Sequence, residues 1–458
     1  MRALALAAAL AASGCSAVIG FHECDVDTDC KGVTPDNTPL FCSDDHMCVG
    51  AIPDYALCKV AEPENTSSVP DGALVIGGLF RTSGANDVND HTFAQAAELG
   101  ASEFIKAGYN VALVVCDTAG DPGQAARAYD VVIDRFGAKI IVGPDTSDEV
   151  FAVAKEVTAR GVPLISPSAT NPDIAGLNDD GLDWRTAASD NLQAKVLATL
   201  PLSSSTIDIV YDSASKYASG LKDAFVANFP GQVAHLHDFA GGDDAGRNAA
   251  VAATSADAPS YALLIADFDA PPLMAAVAKA SGLTMTQFLM TDSAKKPSLW
   301  EQLGGNYAVM TRVRGTGPAN PDFMDPSGKA FTVLQTNYKD TFGEDPAETA
   351  FVGNAYDAFY AAAFAALAAP AGQRDGKQLV ANLARMSDPM GASIVVGSNS
   401  INSGVTPLQM GETIDLIGTS GPIDFDDNGD VKSAPIEKWS VVTTGSTPMF
   451  HTDTIVVP

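Results

Sequence analysis

Two stretches of this chain carry the residue types that hold a small anionic group. The run Ile140-Ile-Val-Gly-Pro-Asp-Thr-Ser147 reads as a short apolar strand that stops in a loop, with a helical pattern beginning at Ser147. Val162-Pro-Leu-Ile-Ser-Pro-Ser-Ala-Thr-Asn-Pro172 repeats the theme. Ser147, Ser168 and Thr170 offer hydroxyls, and Pro167 and Pro172 interrupt regular pairing, so backbone donors near Ser168 and Ala169 are open to a ligand. This chemistry suits a carboxylate or an amide. A hydrogen bond to a charged group nets roughly 1.5 to 3 kcal/mol. Three or four of them with buried apolar contact reach micromolar binding, about 8 kcal/mol.

Other motifs fail on inspection. Ser213-Ala-Ser-Lys216 and Ser189-Asp-Asn191 imitate pieces of the penicillin-recognising serine enzymes, but their order is reversed and no Lys-Thr-Gly follows. Asp424-Phe-Asp-Asp-Asn-Gly429 imitates a calcium loop, yet Pro435 stands where a bidentate Glu is required, and an Asn-Gly turn is the better account. His235 and His237 share one strand face without a third ligand, so no metal is expected. No phosphate loop, dinucleotide fingerprint or nucleophile elbow occurs. The expectation is a binding protein with no cofactor and no catalysis.

The loops need a scaffold, and the pattern supplies one. After a Pro/Ser-rich linker at 61–72, strands are expected at 73–80, 111–116, 138–142 and 162–165, alternating with helices at 92–107, 123–136 and 147–160. Such βα repeats make a parallel sheet, whose ligands sit beyond the carboxyl ends of the strands. A second set follows. Strands are expected at 207–211, 232–237, 261–266, 287–290 and 307–312, with helices at 216–228, 245–254 and 273–281. Ala-rich helices at 329–342, 348–367 and 377–386 come next, then strands including 413–417 and 438–443.

Bulk properties bound the partners. Apolar residues are 46% of 458, and 27 basic against 56 acidic residues give a net charge of −29, which excludes nucleic acid. Met1-Arg2, the apolar stretch 3–12 and Ala12-Ser-Gly-Cys15 look like a bacterial lipoprotein signal (1–14), with Cys15 as the lipidated residue and the membrane reached through an acyl anchor. Ser16 after that cysteine resembles the outer-membrane sorting signal, so an extracytoplasmic, lipid-anchored place is expected. Cys24, Cys30, Cys42, Cys48 and Cys58 crowd into a short acidic head (15–60) that cannot bury much core. A disulfide framework is the better reading; zinc, with His22 or His46, is the rival, against which the wide Cys spacings count. Cys58 is the odd member, bridging within the cluster or staying free, and Cys116 sits in an apolar strand.

The ordered series Leu74-Val-Ile-Gly-Gly-Leu-Phe-Arg-Thr-Ser-Gly84, Asp117-Thr-Ala-Gly-Asp-Pro122, Ile141-Val-Gly-Pro144, Leu164-Ile-Ser-Pro-Ser-Ala-Thr-Asn-Pro172, Trp184-Arg-Thr186 with Ser189-Asp190, and Gly421-Pro-Ile-Asp-Phe-Asp-Asp-Asn-Gly429 resembles the type I periplasmic binding proteins. Within them it is most similar to the branch that binds leucine, isoleucine, valine and related amides. The resemblance implies an α/β fold of two Rossmann-like lobes with parallel sheets, joined by three crossing strands and closing on a ligand. It places lobe one at 73–190 and 313–390 and lobe two at 191–312 and 391–458. Crossings are expected near 187–190, 311–316 and between Asp388 and Ile394. It further implies that Ser147, Ser168, Ala169 and Thr170 hold a ligand carboxylate and ammonium, that Tyr217 covers the ligand, and that Asp292 pairs the ammonium. Ser83 and Gly84 resemble the family's first loop. Two features depart from the family: Arg81, which if turned inward would favour a second anionic group, and Lys295-Lys296 after Asp292. The implied partners are an amino acid or small amide and an ABC permease; the alternative is a sensory module of the same fold reporting to a signalling protein.

Overall fold

The computed structural model describes residues 40–42, 48–50, 57–83, 91–321, 324–444 and 447–458. Two compact units are formed, 1–56 and 57–458. In the first, strands β1 (Leu40–Cys42) and β2 (Cys48–Gly50) pair antiparallel with Cys42 opposite Cys48, and Cys48 is disulfide-bonded. The expected lipidation site Cys15 and the cysteines Cys24 and Cys30 lie outside the described residues.

The second unit holds two sheets. Lobe one begins with β3 (Cys58–Glu62), β4 (Leu74–Phe80), α1 (Thr92–Lys106), β5 (Val111–Asp117), α2 (Pro122–Asp134), β6 (Ile140–Val142), α3 (Ser147–Arg160), β7 (Leu164–Ser166) and β8 (Asp183–Arg185). Its strand order is β3–β5–β4–β6–β7–β8, parallel except for β3. Every residue of β4, Leu-Val-Ile-Gly-Gly-Leu-Phe, is buried, as a strand covered on both faces requires.

Lobe two follows with α4 (Asp190–Leu197), β9 (Thr206–Asp212), α5 (Lys216–Asn228), β10 (Gln232–Phe239), α6 (Asp244–Asp257), β11 (Tyr261–Ile265), α7 (Ala270–Lys279), β12 (Gln287–Met290) and β13 (Val313–Pro318). The chain then runs through α8 (Pro326–Phe342), α9 (Val352–Ala368), α10 (Gly376–Ala384), β14 (Ala392–Val395), α11 (Ile401–Gln409) and β15 (Ile414–Ile417). It closes with β16 (Ile436–Thr444) and β17 (Thr447–Val456). The lobe-two sheet has the order β10–β9–β11–β12–β13–β16–β17, with β16 and β17 antiparallel.

Helix α9 is the spine of lobe one. Every residue from Val352 to Leu367 is buried, because its alanines let it approach neighbours closely on all sides. Its one acid, Asp357, accepts from the amides of Thr419 and Ser420 at 2.8 Å each. Buried Glu103 of α1 accepts from Tyr360 of α9 at 2.6 Å and from Tyr356.

The fold departs from expectation in three places. Tyr307–Arg312 is a 3-10 helix, and the strand comes just after it as β13 in the lobe-two sheet, not as part of lobe one. Its Val-Arg-Gly-Thr-Gly-Pro sequence hides a strand because Gly315 has no side chain for a packing reason: a Cβ there would lie 2.2 Å from the Trp439 ring. The third crossing is not between Asp388 and Ile394. Ile394, Val405, Leu416, Ile423 and Val431 all pack into the lobe-one core, so the chain crosses only before β16.

The third departure concerns Cys58. It does not bridge within the head and is not free; it is disulfide-bonded to Cys116, directly opposite it in the β3–β5 register. Strand β3 therefore belongs to the lobe-one sheet, and the linker expected from 61 begins after Glu62. The bond closes a loop with a sequence separation of 58, which in the chain-entropy account stabilises the fold by about 4 kcal/mol. Replacing both cysteines by serine is expected to lower the urea unfolding free energy by about 2 to 4 kcal/mol, measured on oxidised wild type beside the variant.

Candidate functional site

A cavity of about 140 Å³ opens between the lobes. Lobe one contributes Arg81 after β4, Thr92 and Phe93 at the start of α1, Asp145, Thr146 and Ser147, Ser168, and Thr349 to Phe351 ahead of α9. From lobe two come Tyr217, Asp267, Phe268, Asp292, Ser293, Lys295 and Lys296.

The lobe-one wall is built on the start of α3. Thr146 and Glu149 form a capping box: the Glu149 amide donates to Thr146 Oγ1 at 3.2 Å, and the Thr146 amide donates to Glu149 Oε2 at 3.0 Å. The Val150 amide bonds back to the Thr146 carbonyl at 3.0 Å. The remaining first-turn donors belong to Ser147 and Asp148, at the positive end of the helix dipole. Gly143, just upstream, is required by its backbone: φ is +97°, and a Cβ would lie 2.1 Å from the Leu79 carbonyl oxygen.

The second loop is held from behind. Ser168 Oγ donates to the Asp145 carbonyl at 2.7 Å, and Ser166 Oγ donates to that of Pro144 at 2.6 Å. Arg185 of β8, 1% exposed, donates to the carbonyls of Asn171 at 2.8 Å and Ala169 at 3.2 Å. It also makes a bidentate pair with Asp430 at 2.5 and 2.6 Å.

On the lobe-two side Tyr217 is nearly buried, and its hydroxyl reaches Asp292 Oδ1 at 2.8 Å and Thr291 Oγ1 at 2.7 Å. Burial, with the charges of Asp292 and Asp190, pushes this phenol well above its ordinary range, so it stays a donor. Gln193 donates to the same Asp292 oxygen at 2.7 Å. Burial raises the Asp292 carboxyl above the usual range, and burial with the Asp292 charge raises that of Asp190 well above it. Asp267 is pushed up to about 6 by desolvation, against the pull of Lys296 and Arg81.

The lobes touch across the cavity. The Arg81 guanidinium lies 3.9 Å from the Phe268 ring centroid, and Lys216 donates its amide to the Asp148 carboxylate at 3.0 and 3.1 Å. Asn171 Nδ2 donates to the Lys216 carbonyl at 2.6 Å.

Four of the expected residues, Ser147, Ser168, Tyr217 and Asp292, thus line one cavity. Others do not. The Ala169 amide is taken by Ser166 Oγ at 3.1 Å, and Thr170, 1% exposed, sits behind the wall with its carbonyl accepting from the Asp190 amide. Ser83 turns to Asp117, donating its hydroxyl there and its amide at 3.1 Å. Burial pushes the Asp117 carboxyl up, but donors from Ser83, Thr82 and Ala119 outweigh it and hold the group below its usual range. Gly84 lies outside the described residues. Phe93, Asp267, Phe268 and Phe351 were not singled out from sequence. Asp267 and Phe268 had a signal, since they directly follow the strand β11, where parallel sheets place ligands.

Away from the cavity, His235 and His237 have the further ligands that sequence proximity did not reveal. Asp208 of β9 and Asp257 of α6 place carboxylate oxygens beside both imidazoles. Asp208 and Asp257 are distant from the histidines in sequence and reach them through the pairing of β9 with β10 and the end of α6.

Exchanging Arg185 for Met strands Asp430 and the two carbonyls. It is expected to cost about 3 to 5 kcal/mol in urea unfolding, with increased hydrogen exchange of the 166–172 amides as the site-specific readout.

A family model described as periplasmic binding protein matches residues 73–403. The Leu/Ile/Val-binding protein BraC3 of Rhizobium johnstonii is 35% identical over 125 residues, 26% of this chain and 33% of the relative, so the match spans a third of that protein's length. The chemotactic signal transduction system substrate-binding protein BasB of Halobacterium salinarum is 24% identical over 331 residues, covering 69% of this chain and 73% of the relative. Among solved structures, the branched-chain amino acid transporter substrate binding protein LivJ of Streptococcus pneumoniae, in complex with isoleucine, superposes with a TM-score of 0.65 at 20% identity. It covers 84% of this chain and 99% of that chain, a likeness of fold. With two doubly wound lobes, a cavity between their strand ends and a family match across most of both, the chain belongs to the periplasmic binding protein family.

Proposed function

We propose that this protein captures a free amino acid between its lobes, outside the cytoplasm, and hands it to an ABC permease, with the chain held to a membrane by acyl groups on Cys15. One observation carries the reading: the cavity sets the start of α3, with Ser147 and Ser168, opposite the buried carboxylate of Asp292. An α-amino acid is a carboxylate and an ammonium on one carbon, and it spans these two ends. Its carboxylate meets the first-turn amides of α3 and the Ser147 hydroxyl, while Ser168, whose own proton goes to the Asp145 carbonyl, holds the loop in place. Its ammonium meets Asp292, with Asp267 as a second negative group.

Phe93, Phe268 and Phe351 line the cavity and give the side chain an apolar place, which favours leucine-like ligands. This agrees with what the named relatives BraC3 and LivJ bind. Arg81 does line the cavity, but its guanidinium stacks on Phe268, which supports a neutral side chain over a second anionic group. Both lobes must touch one ligand for closure to be favoured.

The extracytoplasmic setting follows from the family, and no helix among the described residues is long and apolar enough to cross a membrane.

The test is a thermal-shift and calorimetric panel of leucine, isoleucine, valine, glutamate, glutamine and small amides. A branched-chain amino acid is expected to bind, and Asp292→Asn is expected to weaken it by roughly ten- to a hundred-fold, the loss of one charged hydrogen bond of about 1.5 to 3 kcal/mol. Binding of glutamate alone would replace the neutral pocket with an Arg81-assisted one, and no binding across the panel would sink the reading. A bound ammonium favours ionised Asp267, so affinity is expected to rise with pH through about 6. Asp267→Asn is expected to flatten that rise in a calorimetric pH series.

A further inference from the structure

We propose that lobe two carries a transition-metal site of the zinc(II) class, formed by Asp208, His235, His237 and Asp257 and separate from the ligand cavity. His235 and His237 are two apart on the edge strand β10 and so face the same way. The register slips between Val233 and His235, which brings His235 opposite Asp208 of β9. A bulge of this kind re-aims side chains. Asp257 closes the group from the last residue of α6.

The spacing fits one ion. A tetrahedral zinc with bonds of about 2.0 to 2.1 Å needs ligand atoms roughly 3.4 Å apart. His235 Nδ1 lies 3.2 Å from Asp208 Oδ1 and 3.3 Å from Asp257 Oδ2, and His237 Nε2 lies 3.6 Å from Asp208 Oδ2 and 3.0 Å from Asp257 Oδ2. One ligand atom from each residue falls within 4.8 Å of all the others.

Two further features point to a cation. Asp208 is 2% exposed, and its Oδ2 has no hydrogen-bond partner while facing the His237 imidazole. A buried carboxylate oxygen left so is costly unless something positive meets it. Asp257 adds a carboxylate at the negative end of a helix dipole, and among the described residues both acids form ion pairs with the imidazoles. Two imidazoles and two carboxylates suit zinc better than calcium or magnesium, which take oxygen ligands. The half-exposed His235 leaves the ion a way in. Bound there, it ties the edge strand β10 to β9 and to the end of α6.

The full chain, stripped with a chelator and titrated calorimetrically with zinc chloride, is expected to bind one equivalent more than H235Q/H237Q. Asp208→Asn is expected to weaken that equivalent at least tenfold, and zinc is expected to raise the unfolding midpoint of wild type more than that of H235Q/H237Q. The cysteine-rich N-terminal segment, with His22 and His46, is intact in every variant and cancels in the comparison. Equal zinc stoichiometry in wild type, H235Q/H237Q and Asp208→Asn would overturn the proposal and leave the four residues as an ion-pair cluster. Unchanged leucine affinity in H235Q/H237Q is the expected sign that the variant is folded and the two sites are independent.

Discussion

Arg185 carries its charge to a place that water hardly reaches, and burying a guanidinium is costly unless every donor it carries finds an acceptor. Its forked group finds them in two segments: the Asp430 carboxylate of the 424–431 turn, and the Asn171 and Ala169 carbonyls of the loop after β7. The requirement works in both directions. The loop after β7 cannot relax without stranding the guanidinium, and the 424–431 turn cannot leave without stranding both. The cavity-facing loop therefore has its shape fixed from its far side. Ser166 and Ser168 extend the same brace to the loop ahead of α3, so the two walls of the cavity are one bonded piece.

Against that rigid wall, the contacts that cross the cavity between the lobes are largely polar, while Val196 of α4 and Ile436 of β16 join the lobe-one core. Asp148 accepts from Lys216, Asn171 donates to the Lys216 carbonyl, and Arg81 rests on Phe268. Polar contacts of this kind hold two bodies together weakly, as the proposed closure around a solute requires. Much of the apolar burial lies within the lobes, with α9 buried along nearly its whole length in lobe one and a separate cluster around Trp439 in lobe two.

Parts of the site were legible because local chemistry fixes them. Thr146 with Glu149 is a helix start wherever it occurs, so Ser147 had to open α3. Ser147, Ser168, Tyr217 and Asp292 stand at the ends of strands or starts of helices, and those ends converge in a parallel sheet. Ala169, Thr170 and Ser83 look the same in sequence, yet the Ala169 amide and the Ser83 hydroxyl are spent inside the protein and Thr170 is buried behind the wall. Which hydroxyl or amide faces the cavity is decided by neighbours such as Ser166 and Asp117, and those neighbours come from packing.

The sequence by itself determined the alternation of strands and helices, the two doubly wound sets and the loops that meet at the cavity. Hydrophobic period, caps and turn residues act within a few positions of the chain, so they can be read along it. Tertiary structure alone decided that Cys58 pairs with Cys116, that residues 391–431 pack in lobe one, that β13 follows a 3-10 turn, and that Asp208 and Asp257 flank the two histidines. Each of these joins segments far apart, where the free energy comes from register, burial and charge in three dimensions and leaves no local mark on the chain.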